Sequence, residues 1–322
     1  MIAAPGPVKS ESRSGKPDSR IVKSNVPANG QHWLKPEELA KLNSLELRAR
    51  SVVEGFLQGL HRSPFVGYSV EFSSHRRYGP GDDLRHVNWK LFARNRKLYV
   101  KEFDAETNLN LYLLVDNSRS MQCRLGGPLT KFDYAATLAA ALASLAVKQR
   151  DAVAMGLVSD CITTYLEPSA KPGRWEDCVH LLSQPPIAKV TSISKSLEQA
   201  ASLARHRGIV VILSDLVDKT DGFSRGLQQL KHRGHEVIVF HILDPWERRM
   251  PKEGRMRFVD LEGELEITTD VESIRLAYDK RVDAWCRELN DLCLLQSVDR
   301  IELTTDMPPS IALIDYLVRR TS

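Results

Sequence analysis

The stretch Leu109–Met121, LNLYLLVDNSRSM, decides how this chain is read. Leu109 to Val115 is an apolar run that stops at Asp116. Such a run has the pattern of a strand covered on both faces, as a parallel sheet between helical layers requires. At its exit, Asp116, Ser118 and Ser120 set one carboxylate and two hydroxyls at i, i+2 and i+4.

Moving outward, helical spacing covers about Phe132 to Gln149, and Ala152 to Val158 reads as a strand. A helix over roughly Ile193 to Arg207 leads to a second buried strand, Ile209 to Leu213, ending at Ser214-Asp215. A helix near Phe223 to Arg233 and a strand from Glu236 to Leu243 follow. Alternating strands and helices of these lengths imply an α/β fold with a doubly wound, mostly parallel sheet. Ligand sites in such sheets lie beyond the carboxyl ends of the strands, at a topological switch point. Asp116 and Asp215 both follow buried strands, so the topology places them on one edge.

The flanks are less regular. Residues 1–30 are rich in Pro, Gly, Ser and basic side chains and read as a disordered tail. From Pro36, the positions Leu39, Leu42, Leu45, Val52, Val53, Phe56, Leu57 and Leu60 predict one helix ending near Gly59 to Pro64. A Gly-, Pro- and charge-rich block runs from Gly67 to Lys101. Beyond the sheet strands, Arg257 to Thr268 predicts a small hairpin or irregular segment. A helix over Val271 to Leu294, a strand near Arg300 to Leu303 and a helix over Ser310 to Arg319 complete the chain. The division expected is a tail (1–30), an N-terminal helical and irregular extension (31–106) and an α/β domain (107–322).

Composition narrows the function. The 322 residues carry 45 basic and 41 acidic side chains, a net +4 that does not by itself argue for nucleic acid. Five cysteines, an odd number without a CxxC pair, together with the lack of a signal peptide, read as free thiols in a reducing compartment. No HExxH or paired His/Cys spacing supports zinc. No apolar run reaches the ~18–20 residues that cross a bilayer. The segment Ala135 to Val147 is a short, Ala-rich buried helix, and the expectation is a cytoplasmic protein that meets a membrane only through a partner.

The oxygen donors at the strand exit suit a hard cation such as Mg²⁺. Asp215 and a hydroxyl from the loop before the Ile193 helix would complete the set, with Thr191 the natural choice and Ser192 and Ser194 its competitors. The bland alternative is that Ser and Asp after a strand cap the next helix, and DxSxS alone is a weak pattern. A second strand ending in Ser214-Asp215 favours the metal.

Asp116 to Met121 resembles the metal-ion-dependent adhesion site of von Willebrand factor A domains. A longer pattern is similar to the DUF58 family. It runs through Tyr68–Phe72, Arg77–Arg85 (RYGPGDDLR), Asn88-Trp89-Lys90, Ala93-Arg94 and Val100–Phe103, and continues through Lys131–Ala135, Asp151–Leu157 and Leu213–Asp215. That resemblance implies a von Willebrand factor A-like fold with an N-terminal extension. It also implies adhesion-site roles for Asp116, Ser118, Ser120, Thr191 and Asp215, the hydroxyls touching the metal and the aspartates able to act through water. The open coordination position accepts an acidic side chain of a partner, and Asn117 and Arg119 are the candidate partner contacts. An association with a MoxR-type AAA+ ATPase, in assembly or maturation of other complexes, is implied in the same way. Asn88 departs from the Asp common at that position, and Ser192 from the Asp that follows the threonine in many such domains. The N-terminal membrane helices of many members have no counterpart.

Two other functional classes have partial support in the sequence. The segment 75–101 interleaves Arg76, Arg77, Arg85, Lys90, Arg94, Arg96, Lys97 and Lys101 with Tyr78, Trp89, Phe92 and Tyr99, a pattern compatible with single-stranded nucleic acid. Internal pairing with Asp82, Asp83, Glu102 and Asp104 accounts for it equally and fits the family pattern better. Gly79–Asp82 reads as a turn. A phosphoesterase or nuclease using Mg²⁺ is the enzymatic alternative. A haloacid dehalogenase-type site, however, needs a second Asp where Ser118 stands, no Gly-x-Ser-x-Gly is present, and no cysteine has a nearby His that suggests thiolate activation. The favoured reading is a non-enzymatic, Mg²⁺-dependent protein-interaction module.

Overall fold

A computed structural model describes residues 34–62, 75–77, 99–101, 109–184, 193–217, 220–252, 254–259 and 266–320. The expected tail, most of the Arg-rich block, Thr191 and Ser192 lie outside the described residues.

A four-residue helix, α1 (Pro36–Leu39), and an 18-residue helix, α2 (Leu45–Arg62), open the described chain, followed by an antiparallel pair, β1 (His75–Arg77) and β2 (Tyr99–Lys101). Where one helix was expected from Pro36 onward, the chain breaks between Ala40 and Ser44. The Ser44 hydroxyl there accepts from Leu47 N at 3.4 Å and starts the second helix.

The strand β3 (Asn110–Asp116) leads through a 3₁₀ turn at Ser120–Gln122 into α3 (Lys131–Lys148) and β4 (Ala152–Val158). Next come β5 (Ile162–Ser169), α4 (Arg174–Leu182) and α5 (Ile193–Leu203). Then follow β6 (Gly208–Ser214), α6 (Thr220–His232), β7 (Glu236–Leu243) and a single turn, α7 (Pro245–Arg248). The chain ends with the antiparallel pair β8 (Arg255–Val259) and β9 (Glu266–Asp270), then α8 (Val271–Leu295), β10 (Asp299–Thr304) and α9 (Pro309–Arg320).

Six strands form the central sheet in the order β10-β7-β6-β3-β4-β5, all parallel except β5, which runs antiparallel to β4 at the edge. Renumbered within the sheet this is 3-2-1-4-5-6, the doubly wound order. The alternation of strand side chains divides two cores. Leu111, Leu113 and Val115 of β3, with Ile209, Val211 and Leu213 of β6, face α2, α3 and α4. Tyr112 and Leu114, with Val210 and Ile212, face α5, α6 and α8. Burial of both parities is why these strands read as unbroken apolar runs.

Helix α3 is buried almost all round because it lies beneath α2 as well as against the sheet. Trp175 Nε1 donates to Ala140 O at 2.9 Å and ties α4 to it, while Arg50 of α2 lies 5.0 Å above the Trp175 ring. Strand β5, α4 and α7 had no counterpart in the sequence expectations. Among the described residues no helix is long and apolar enough to cross a membrane.

Gly208 leaves no room for a side chain against β3, since an added Cβ would lie 2.1 Å from Asn110 O. Gly208→Ala must therefore push β6 from β3, and a loss of about 1–3 kcal/mol is expected in urea unfolding. An unchanged midpoint would refute this packing. Buried His235 has its ring 3.2 Å from Ala204 O, and burial lowers its pKa. It folds neutral, so its contribution is complete above the ordinary imidazole value of about 6.5 and fades as pH falls through it. His235→Gln should make stability depend less steeply on pH between about 7.5 and about 5.5. A slope equal to wild type contradicts this assignment.

Candidate metal centre at the carboxyl edge of the sheet

Strand β3 connects onward to β4 on one side, whereas β6, its neighbour on the other side, is reached later in the chain. The direction of winding reverses between them, and the exits of β3 and β6 form the switch point. Asp116 closes β3, and Ser214-Asp215 closes β6, both buried.

Each carboxylate is held by named donors. Ser118 N donates to Asp116 Oδ1 at 2.9 Å, and the Ser214 hydroxyl donates to Asp116 Oδ2 at 2.5 Å. Burial, and after it the charge of Asp215, raises the Asp116 pKa to about 6, against these hydrogen bonds from Ser214 and Ser118. The Ser118 and Ser120 hydroxyls stand 3.0 Å apart. On the β6 side, Ser214 Oγ also accepts from Leu216 N at 2.9 Å, and Leu216 sits at φ 54. A left-handed leucine costs on the order of 1 kcal/mol and is retained where the surrounding structure over-determines it.

Asp215 receives a cation from within the chain. The Lys131 ammonium, on the first residue of α3 and fully buried, donates to Asp215 Oδ2 at 2.8 Å and to Glu247 Oε1 at 2.7 Å. Burial works against its charge, but Asp215 and Glu247 more than reverse this and hold Lys131 above the usual lysine range. Glu247 Oε2 also accepts from Asp244 N at 3.0 Å, closing the cap of α7. The Asp244 carboxylate reaches back to the loop after β3. It accepts from Leu125 N at 2.9 Å, Gly126 N at 2.8 Å, Gly127 N at 3.2 Å and its own helix's Trp246 N at 2.9 Å.

Of the residues expected at the site, Asp116, Ser118, Ser120 and Asp215 are brought to one edge. Thr191 and Ser192 lie outside the described residues. The third candidate hydroxyl, Ser194, packs against α6, where a Cβ on Gly222 would come within 2.3 Å of its Oγ. Arg119 is exposed, as a partner contact requires. Asn117 departs from that expectation. Its N–H donates to Val158 O at 2.8 Å, which continues the strand ladder, and its side chain is buried with an unpartnered Oδ1.

These residues fit a hard divalent cation. The donors are all oxygen, and Asp116, Asp215 and Glu247 against Lys131 leave a net of two negative charges in a largely buried group. A second grouping, His241, Cys286 and Glu302, brings ligand atoms within 4.8 Å of one another. It is an ion-pair network instead. Arg300 contacts His241 Nδ1 at 2.5 Å and Glu302 at 2.9 Å, Arg248 also pairs with Glu302, and His241 Nε2 lies 2.9 Å from Asp215 O. Buried and beside Arg300, His241 is held well below its ordinary pKa, so the neutral ring donates from Nε2 to Asp215 and accepts from Arg300. All five thiols are raised, chiefly by burial, with Cys123 pushed up to about 11, so none is an activated thiolate.

Sequence reasoning missed Lys131, Asp244 and Glu247. One signal was available for Lys131, since an ammonium on the first residue of a helix opposes the macrodipole and calls for a carboxylate partner.

A doubly wound α/β domain with buried oxygen donors at its switch point is the class these features define. The chain belongs to the DUF58 family, described as proteins of unknown function, which matches residues 74–286. An uncharacterised protein of Mycobacterium tuberculosis is 28% identical over 233 residues, 71% of this chain and 72% of that one. Similar solved structures include the conserved hypothetical protein BatB of Bacteroides thetaiotaomicron, with TM-score 0.44, 16% identity, and 66% of this chain and 98% of that chain covered. The VWA domain of SpRpn10 has TM-score 0.35 and 13% identity, with 65% of this chain and 94% of that chain covered.

Replacing Asp244 by Ala strips acceptors from four amides, and a loss of about 2–4 kcal/mol is expected. Hydrogen exchange at Leu125–Gly127 should accelerate with it. Wild-type protection there would show that the carboxylate does not hold the loop.

Proposed function

We propose that this chain is a metal-dependent protein-interaction module whose partner offers an acidic side chain to a Mg²⁺-class ion at the β3–β6 edge. One observation carries the reading. Asp116, Ser118, Ser120 and Asp215 arrive from two separate strands at the switch point, with more negative than positive charge around them. Ser118 and Ser120 would hold the ion through their hydroxyls, and Asp116 and Asp215 would hold it directly or through water. Bound there, the ion supplies an electrophilic point of attachment for a carboxylate. As neutral ligands, the two hydroxyls add no negative charge of their own to repel an anionic partner.

The surroundings support recognition over catalysis. Leu125 after β3, Val217 after β6 and Trp246 after β7 are large apolar side chains exposed on the same edge, with Arg119 among them. Exposed aromatic and aliphatic groups around a polar centre are typical of protein-binding surfaces. Both Asp116 oxygens are engaged by Ser118 and Ser214, so the carboxylate is tied down as a scaffold element. The proposed partner class, from the family resemblance, is a MoxR-type AAA+ ATPase, and the proposed role is assembly or maturation of other complexes.

The test is binding of the purified chain to a purified MoxR-type ATPase in Mg²⁺ and in EDTA. Wild type should bind at least about tenfold more tightly in Mg²⁺, a difference of about 1.4 kcal/mol, and Asp116→Ala should erase the difference without unfolding the protein. Equal binding across the four conditions would sink the reading.

A further inference from the structure

We infer that the Lys131 ammonium is the resident counter-cation of the strand-edge site, competing with a divalent ion for Asp215 and thereby setting how tightly the site takes metal. This rests on the metal reading above and concerns a residue that the reading itself does not use.

The geometry carries it. Lys131 Nζ is fully buried and bridges Asp215 Oδ2 at 2.8 Å and Glu247 Oε1 at 2.7 Å. Asp215 is equally buried and sits beside Asp116, so without a nearby cation two carboxylates would share one desolvated edge. Lys131 supplies that cation from α3. A divalent ion drawing on Asp215 arrives beside a fixed positive charge, and like charges at this range in a poorly screened interior repel strongly. Glu247 is the second half of the device. It is one-quarter exposed at its side chain and accepts from the same ammonium, so the lysine keeps a carboxylate partner when Asp215 turns to metal. Glu247 also belongs to the turn that carries Trp246 and is capped by Asp244, which links occupancy of the metal site to the loop over Leu125–Gly127.

Lys131 is thus a positioning residue whose effect on affinity has a sign opposite to that of Glu247. A purely structural role would make both replacements weaken binding. Mn²⁺ is the probe, titrated into the full chain and followed by its electron paramagnetic resonance signal and by calorimetry. Lys131→Met should tighten Mn²⁺ binding at least about tenfold, and Glu247→Gln, which leaves the ammonium wholly on Asp215, should weaken it at least about threefold.

Weaker or unchanged binding by folded Lys131→Met overturns the inference, as does unchanged or tighter binding by Glu247→Gln. Should Lys131→Met fail to fold, Lys131→Gln, which removes the charge and keeps a hydrogen-bond donor, decides in its place: tighter Mn²⁺ binding is expected, and weaker or unchanged binding overturns the inference. A wild type that ignores Mn²⁺ while Lys131→Met binds it would support the counter-cation and overturn the metal-dependent function. Silence from both would overturn the two together.

Discussion

Two neighbouring parallel strands whose following helices leave for opposite faces must part at their carboxyl ends. Here α3 follows β3 into the core beneath α2, whereas α6 follows β6 into the core on the other face. Neither helix crosses the gap between the two exits. Everything polar at Asp116 and Asp215 follows from that opening, because it is where carboxylates can be set into the sheet without being sealed beneath a helix. The same opening creates an electrostatic problem, since both groups are still almost inaccessible to water.

That problem is met with short-range partners instead of solvent. Asp116 has a backbone amide and a serine hydroxyl, and Asp215 has a lysine drawn from the start of α3. A buried ion pair of this kind is weak evidence for stability on its own, because desolvating both ions offsets most of their attraction. Removing one partner is the costly event. Lysine at a helix start also works against the helix dipole. What it supplies is a cation beside carboxylates that would otherwise share one desolvated edge. His241 fits the same logic. Kept neutral by burial and Arg300, it braces the Asp215 backbone without adding charge.

How much was legible follows from these distances. The strands β3, β4, β6 and β7 stood out because both faces of each are buried, so apart from their ends and His241 their positions are apolar. Strand β5 did not, because as an antiparallel edge it exposes one face, carries Pro168 near its end and alternates only loosely. Helix α4 follows Gly173, a left-handed residue at φ 88, and is only nine residues long, too short for a periodic signal. Asp116, Ser118, Ser120 and Asp215 were readable because the position after a buried strand is itself informative. Lys131 was not, since its partners lie 84 and 116 residues further along the chain. Asn117, expected as a partner contact, is instead kept strand-like and turned in by one more ladder hydrogen bond.

The outward side of the site is held as firmly as the inner one. Asp244 gathers the amides of Leu125, Gly126 and Gly127, and Trp246 lies so close to Gly126 that a Cβ there would come within 2.3 Å of its ring. The loop after β3 and the turn after β7 are therefore tied to each other by hydrogen bonds and close packing. Through Lys131 this pair is joined to Asp215 on β6. Three loops that could have wandered separately are tied to a single buried charge cluster, so the exposed Leu125 and Trp246 stand at fixed positions relative to Asp116. A surface already ordered before contact loses little conformational entropy on binding, which is the condition under which a few apolar contacts around one ionic attachment can give useful affinity. An enzyme's mobile lid would call for the opposite, loops free to close over a substrate. The tethering of this edge, more than any single ligand residue, is what favours recognition.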